Sequence, residues 1–336
     1  MHALARIAGI TAAGMAALLV ASPSVQAADA VRMSIPVVSA SFAPYLIALA
    51  KGYYRDDGLD VQKINAQGGV ATAALIGGSI DVSTSSSAAL SAIMRGARFK
   101  IVYTMMDRPD YQLWSTEADL KTLQDLKGKN VGVQTRGDTY EIAMRLTLRA
   151  AGLPGDWVGY TAIGMGTATR AAMQSGSLPA VMVAKEDLDE MGDVPVLHRG
   201  HLIANTFDTI RMPYTGAVVS DTLLASHPDE VERFLHATLK GLRYMRAFRD
   251  GTNAILKQDG AALDDRTLAT DYVDVVKTLT ATGDEPPEVL RKDMEARAAL
   301  LNIPADKIPP VDAVYDYKLL RQANAELDKA QWKPEP

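Results

Sequence analysis

AALIGGSIDVSTSSSAAL, residues Ala73–Leu90, passes from a small-residue helix through a Gly-Ser pair into a short buried strand, Ile80–Ser83. A hydroxyl-rich turn, Thr84–Ser87, then opens a further helix. Ninety-eight residues on, AAMQSGSLPAVMVAKEDL (Ala171–Leu188) lies over it without a gap and keeps the same order of elements. A repeat of this length implies two copies of one α/β unit. Two such copies predict two lobes facing each other, with Thr84–Ser87 on one and Val183–Glu186 on the other.

The flanking segments extend both copies. Strand-like runs at Val31–Val38, Leu59–Ile64, Ile80–Ser83 and Lys100–Thr104 alternate with helices at Phe42–Lys51, Gly69–Ile76 and Ser86–Arg95. Pro44 suits a first helical turn and Gly52 a helix end. Such alternation gives a largely parallel sheet. After DLKGKN (Asp125–Asn130) a second series follows: strands Val131–Gln134, Val158–Ile163, Ala180–Val183 and Val194–Leu197, with helices Tyr140–Ala151, Thr167–Ser175 and Lys185–Met191. Thr215–Ser220 again reads as a strand. Beyond Pro228 the chain is amphipathic helix: Asp229–Arg249, Arg266–Thr280, Glu288–Leu301 and Ala313–Leu327, expected to pack onto the first lobe.

The 336 residues are 48% hydrophobic with a formal charge of −5 and no Lys/Arg-rich run, which argues against nucleic acid as a partner. The N-terminus places Arg6 before an apolar stretch, Ile7–Ala21, and Val25-Gln26-Ala27 fits a cleavage site, so residues 1–27 read as a signal peptide. There is no cysteine, hence no disulfide framework and no lipid-modified anchor. A protein released into the periplasm is the expectation.

Four segments in order, APYLIALAKGYYRDDGLDVQ (Ala43–Gln62), ALIGGSIDVSTSSSAAL (Ala74–Leu90), DLKGKNVGVQTRGDT (Asp125–Thr139) and AAMQSGSLPAVMVAKE (Ala171–Glu186), resemble the substrate-binding proteins of ABC importers of the nitrate/sulfonate/taurine type, related in fold to thiamine-pyrimidine-precursor binders. The resemblance implies an α/β two-lobe periplasmic-binding-protein fold (type II), each lobe a mostly parallel sheet flanked by helices, with extra C-terminal helices. It places lobe 1 at 28–113 plus 213–336, lobe 2 at 117–205, and hinges near 113–117 and 205–213. It further implies a monomer that is not an enzyme, needs no cofactor or metal, and delivers a small-molecule ligand to an inner-membrane ABC permease and its ATPase. The sequence departs from the family pattern where Ala184-Lys185-Glu186 replaces an acidic-Pro pair and Pro179 an Asp.

In such sheets the turns after parallel strands converge at one edge, where helix N-termini favour anions or carbonyl-type acceptors. The turns here are Ser39-Ala40-Ser41-Phe42, Ser85-Ser86-Ser87, Thr135-Arg136-Gly137-Asp138-Thr139 and Gly164-Met165-Gly166-Thr167, with Glu186 and Tyr214 added from the second lobe and the returning chain. A helix end contributes ~0.3–1 kcal/mol to a bound anion, whereas micromolar affinity needs ~8 kcal/mol. A charged partner is therefore required. Arg136 is the candidate, unless it pairs with Asp138 or Glu141. Phe42, Tyr140 and Tyr214 are candidates to flank an apolar ligand body. The expected ligand is a small organic anion, a sulfonate or carboxylate, with a neutral nitrogen heterocycle such as a thiamine precursor as the alternative. His198-Arg-Gly-His201 lacks a carboxylate at zinc-site spacing, and Gly164-Met-Gly166-Thr-Ala-Thr169 lacks the third glycine of a dinucleotide loop. A sensory ligand-binding module remains the other non-enzymatic reading.

Overall fold

A computed structural model describes residues 28–66, 68–164, 167–185, 188, 200–261 and 264–336. The expected signal peptide (1–27), Met165, Glu186, His198 and the strand Val194–Leu197 lie outside the described residues, as does most of the helix expected at Lys185–Met191. No helix among the described residues is long and apolar enough to cross a membrane.

Among the described residues, ten strands form two five-stranded sheets. The first contains β1 (Asp29–Ser34), β2 (Leu59–Ile64), β3 (Val82–Ser83), β4 (Phe99–Thr104) and β10 (Gly216–Ser220), in the order β2-β1-β3-β10-β4. The second contains β5 (Tyr111–Ser115), β6 (Asn130–Val133), β7 (Gly159–Ala162), β8 (Ala180–Ala184) and β9 (His201–Asn205), in the order β7-β6-β8-β5-β9. Three neighbouring strands are parallel in each, and the fourth, β10 or β5, is antiparallel. This is the two-lobe periplasmic-binding-protein fold.

The repeat read from the sequence is kept in the strand register. Met33 and Ser34 pair with Val82 and Ser83; Val131 and Gly132 pair with Ala180 and Val181, each 98 residues further on. Gly78 and Gly176 occupy equivalent places in the two copies, with φ of 68° and 61°. That is the left-handed region, which a side chain would strain.

β5 was not expected. Its alternating burial (Tyr111, Leu113 and Ser115 inward) lets it pair with β8 and β9, so residues 111–113 belong to the second sheet. The outgoing crossing accordingly falls at Met105–Asp110, ahead of 113–117, and the return runs through residues 206–215. The crossings are tied side by side: Met105 N donates to Thr215 O (2.8 Å), Tyr214 N to Met106 O (3.0 Å) and Met212 N to Asp107 O (2.8 Å).

Each sheet has its own core. The first draws on α1 (Ala43–Ala50), α2 (Tyr53–Asp56), α3 (Gly68–Ile76) and α4 (Ser86–Ile93) together with C-terminal helices, of which Pro228–Ala247 lies closest to α1. The second buries α5 (Thr139–Ala150). The C-terminal helices do more than cover the first lobe. Helix Pro287–Leu301 places Leu290, Met294 and Ala298 in the first core and Leu300 against the second. Helix Asp265–Thr278 reaches the second lobe through Asp274, whose Oδ2 lies 3.2 Å from Lys185 Nζ.

Candidate functional site

The strand ends of both lobes and the two crossings line a cavity that is open to solvent. Ser41 follows β1, Ala184 and Lys185 end β8, and Met106, Asp110, Tyr111 and Tyr214 come from the crossings and β5. Asp271, Asp274 and Val275 complete the lining from helix Asp265–Thr278. An aromatic trio sits beside it. Tyr111 stacks on Tyr140, with centroids 4.2 Å apart and planes at 6°, and meets Tyr214 edge-on at 5.6 Å and 79°. Such arrangements are favourable for aromatic rings. Tyr214 is the least buried of the three and, with Tyr111, lines the cavity.

The serine run has several separate duties. Ser85 occupies the N-cap of α4 without a side-chain cap bond. Ser86 Oγ donates to Tyr214 O (3.2 Å), fixing the returning chain against α4. Ser87 Oγ lies 3.1 Å from Thr139 Oγ1, at the start of α5 in the other lobe. The turns at Ser85–Ser87 and Arg136–Thr139 thus face each other across the interlobe boundary. Ser39 is buried and its Oγ has no partner, whereas Ser41 lines the cavity. Phe42 is buried in the first core and is not among the residues that line the cavity.

The turn Thr135–Thr139 satisfies itself. Asp138 caps α5, accepting from Glu141 N (2.9 Å) and Thr135 N (2.6 Å), while Gly137, at φ 77°, donates its N–H to Glu141 Oε2 (2.8 Å). Glu141 is buried and takes Arg136 Nε at 2.9 Å and Arg145 Nη2 at 2.7 Å. Burial opposes its charge, but the two guanidiniums and the Gly137 N–H outweigh it and hold the carboxyl below its ordinary value. Arg136 is 58% exposed and shares the Glu141 carboxylate with Arg145. The guanidinium expected to meet a ligand is thus engaged locally, by a buried carboxylate five residues away. Gly164, at φ 82°, ends its turn with N–H bonded to Gln134 O (3.0 Å). His201 Nε2 lies 2.6 Å from Leu120 O, an ordinary structural contact.

Sequence reasoning passed over Tyr111, Lys185, Asp271 and Asp274. Asp271 was detectable. It sits on the buried stripe Leu268–Asp271–Tyr272–Val275, where a carboxylate is out of place unless bonded, and it accepts from Ala40 N (3.3 Å). Asp274 stays below the ordinary carboxylate value: burial opposes its charge, but Lys277 and Lys185 prevail.

Residues 39–250 match the family described as NMT1/THI5 like. The riboflavin-binding protein RibY of Chloroflexus aurantiacus is 29% identical over 227 residues, 66% of this chain and 63% of that protein, so the match spans less than two thirds of that relative. Among solved structures, a periplasmic sulfonate-binding protein, SsuA, from Methylobacillus flagellatus KT superposes with a TM-score of 0.71 at 17% identity, covering 93% of this chain and 98% of that one. The nitrate-binding protein NrtA from Synechocystis PCC 6803 gives 0.69 at 16% identity, covering 92% and 91%. At these identities the structures speak for a shared fold.

Proposed function

The chain belongs to the NMT1/THI5-like family, and from that premise we propose that it is the solute-binding component of an ABC importer, acting by binding and not by catalysis. In this reading it is exported to the periplasm by residues 1–27, works as a monomer, closes its lobes on a small molecule and hands that molecule to a permease with its ATPase. Closure needs no covalent step, only a solute that binds the closed arrangement better than the open one.

The observation that carries the reading is the interlobe cavity, to which both lobes and both crossings contribute hydrogen-bonding groups beside the tyrosine trio. Of the two solute classes the sequence left open, a planar nitrogen heterocycle has the better support. The cations an anion would need already have partners: Arg136 shares Glu141 with Arg145, and Lys185 shares Asp274 with Lys277. A flat heterocycle requires aromatic surface and directional polar groups, which Tyr111, Tyr214, Ser41 and Asp271 supply. The riboflavin-binding relative supports the same class.

Calorimetry with riboflavin, an aminopyrimidine, an alkanesulfonate and benzoate tests this. A heterocycle is expected to bind best, and Tyr214→Ala to weaken it about tenfold to a hundredfold, the loss of one aromatic contact and its buried area. If the sulfonate or benzoate binds best, and binding disappears in Lys185→Gln but survives Tyr214→Ala, the solute is an anion after all.

A further inference from the structure

The contact between the lobes at Ser87 and Thr139 does not by itself say which hydroxyl donates. A third residue decides. Arg297, on helix Pro287–Leu301, is 1% exposed and directs its guanidinium at Ser87: Nη1 donates to the Ser87 carbonyl (2.9 Å) and Nη2 to Ser87 Oγ (2.7 Å). Its Nε donates to Asp293 Oδ2 (2.9 Å), which fixes the guanidinium plane. Arginine has donors only, so Ser87 Oγ must accept from it. Arg297 makes no use of the Ser87 proton, which is thus available to Thr139 Oγ1, 3.1 Å away on α5. A hydroxyl that accepts from a charged donor is itself a stronger donor, the more so where water is excluded. The helix that carries Arg297 also packs on both cores, with Met294 in the first and Leu300 in the second.

We infer that Arg297 is a positioning residue for lobe closure, orienting the Ser87 hydroxyl onto Thr139 and so favouring the closed cleft. This rests on the reading of the chain as a two-lobe solute binder. It gives the C-terminal helices a part in the binding cycle, acting through Ser87 and not by contact with the solute. A charge-supported hydrogen bond across the boundary shifts the ratio of closed to open forms about five- to thirtyfold.

The chain has no cysteine, so two introduced ones report cleanly on lobe separation. Asp60→Cys on the first lobe and Arg149→Cys on the second are both at exposed positions. With spin labels on them, electron–electron resonance gives the distance distribution of the solute-free protein. Thr139→Val and Arg297→Gln are each expected to move population to longer distances, and the double variant no further than either alone. Arg297→Lys, which keeps a charged donor, should restore part of the short-distance population, and it replaces Arg297→Gln should that variant not fold. If Thr139→Val opens the cleft while the Arg297 variants, folded, leave it closed, Arg297 has no part in closure. If the two effects simply add, Arg297 acts through packing alone, and the inference is equally overturned. A distance unchanged by every variant and by riboflavin or benzoate would mean that the lobes do not move, and the solute-binding reading would fall with it.

Discussion

Gly241→Ala is expected to destabilise the protein by about 2 kcal/mol or more, although alanine is the better helix former by ~1 kcal/mol. Gly241 lies in helix Pro228–Ala247 where it crosses α1, and a Cβ there would collide with the Pro44 carbonyl oxygen and sit 2.9 Å from its carbon. Both are backbone atoms of a buried helix, which cannot swing aside as a side-chain tip can. The two helices must separate, and the steric term overwhelms the propensity gain. Because α1 follows directly on Ser39–Phe42, the same displacement moves Ser41 at the cavity wall and should weaken solute binding from a distance. Gly69→Ala is the control: its Cβ would meet nothing within 4 Å, so it should be neutral or gain up to ~1 kcal/mol. Urea melts of the two variants decide the matter. A Gly241→Ala protein as stable as the parent would show that the helices do not approach so closely.

What could be read from the sequence follows the range of the interactions involved. The repeat was legible because its signals are local: a strand, a left-handed glycine and a helix start recur at one spacing, and the same spacing reappears in the register of β1–β3 and β6–β8. The self-contained turn at Thr135–Thr139 was also within reach, since Asp138 and Glu141 stand three residues apart at a helix start, close to a capping box. β5 and β9 were not read, because β5 takes its place by pairing with β8 and β9 by pairing with β5, contacts between segments far apart in the chain. The serine run shows the same limit. That it is polar and opens a helix is local. That Ser87 belongs to Arg297, 210 residues on, and to Thr139 is a property of the fold. Asp274 similarly acquires its role only when helix Asp265–Thr278 is brought to Lys185.

Glu285→Gln is expected to make stability less dependent on pH between about 5 and 8. Glu285 is 6% exposed, its Oε2 has no partner, and its carboxyl is pushed up from 4.5 to about 7, by burial first and by the Asp107 carboxylate next. Arg211 and Arg108 oppose the shift and Asp284 adds to it; Tyr315 and Tyr317 are also within electrostatic reach. Asp107 is itself paired twice, with Arg108 Nε on one oxygen at 2.7 Å and Arg211 Nη1 on the other at 3.0 Å. A carboxyl raised in the folded state binds its proton more tightly there than in the unfolded chain. Its stabilising effect is therefore complete below about 4.5 and is lost as pH climbs towards 7. A glutamine, uncharged throughout, should match the parent near pH 5 and exceed it near pH 8 by about 1–3 kcal/mol. Asp138 and Asp293, also raised by burial, slope the same way but are present in both proteins and cancel in the difference. Asp107 and Arg211 belong to the outgoing and returning crossings, so ionising Glu285 adds charge beside both. Urea melts of parent and variant at pH 5, 6, 7 and 8 measure the difference. A constant gap across that range would mean that Glu285 keeps an ordinary carboxylate in the folded protein, and that the hinge charges are balanced without it.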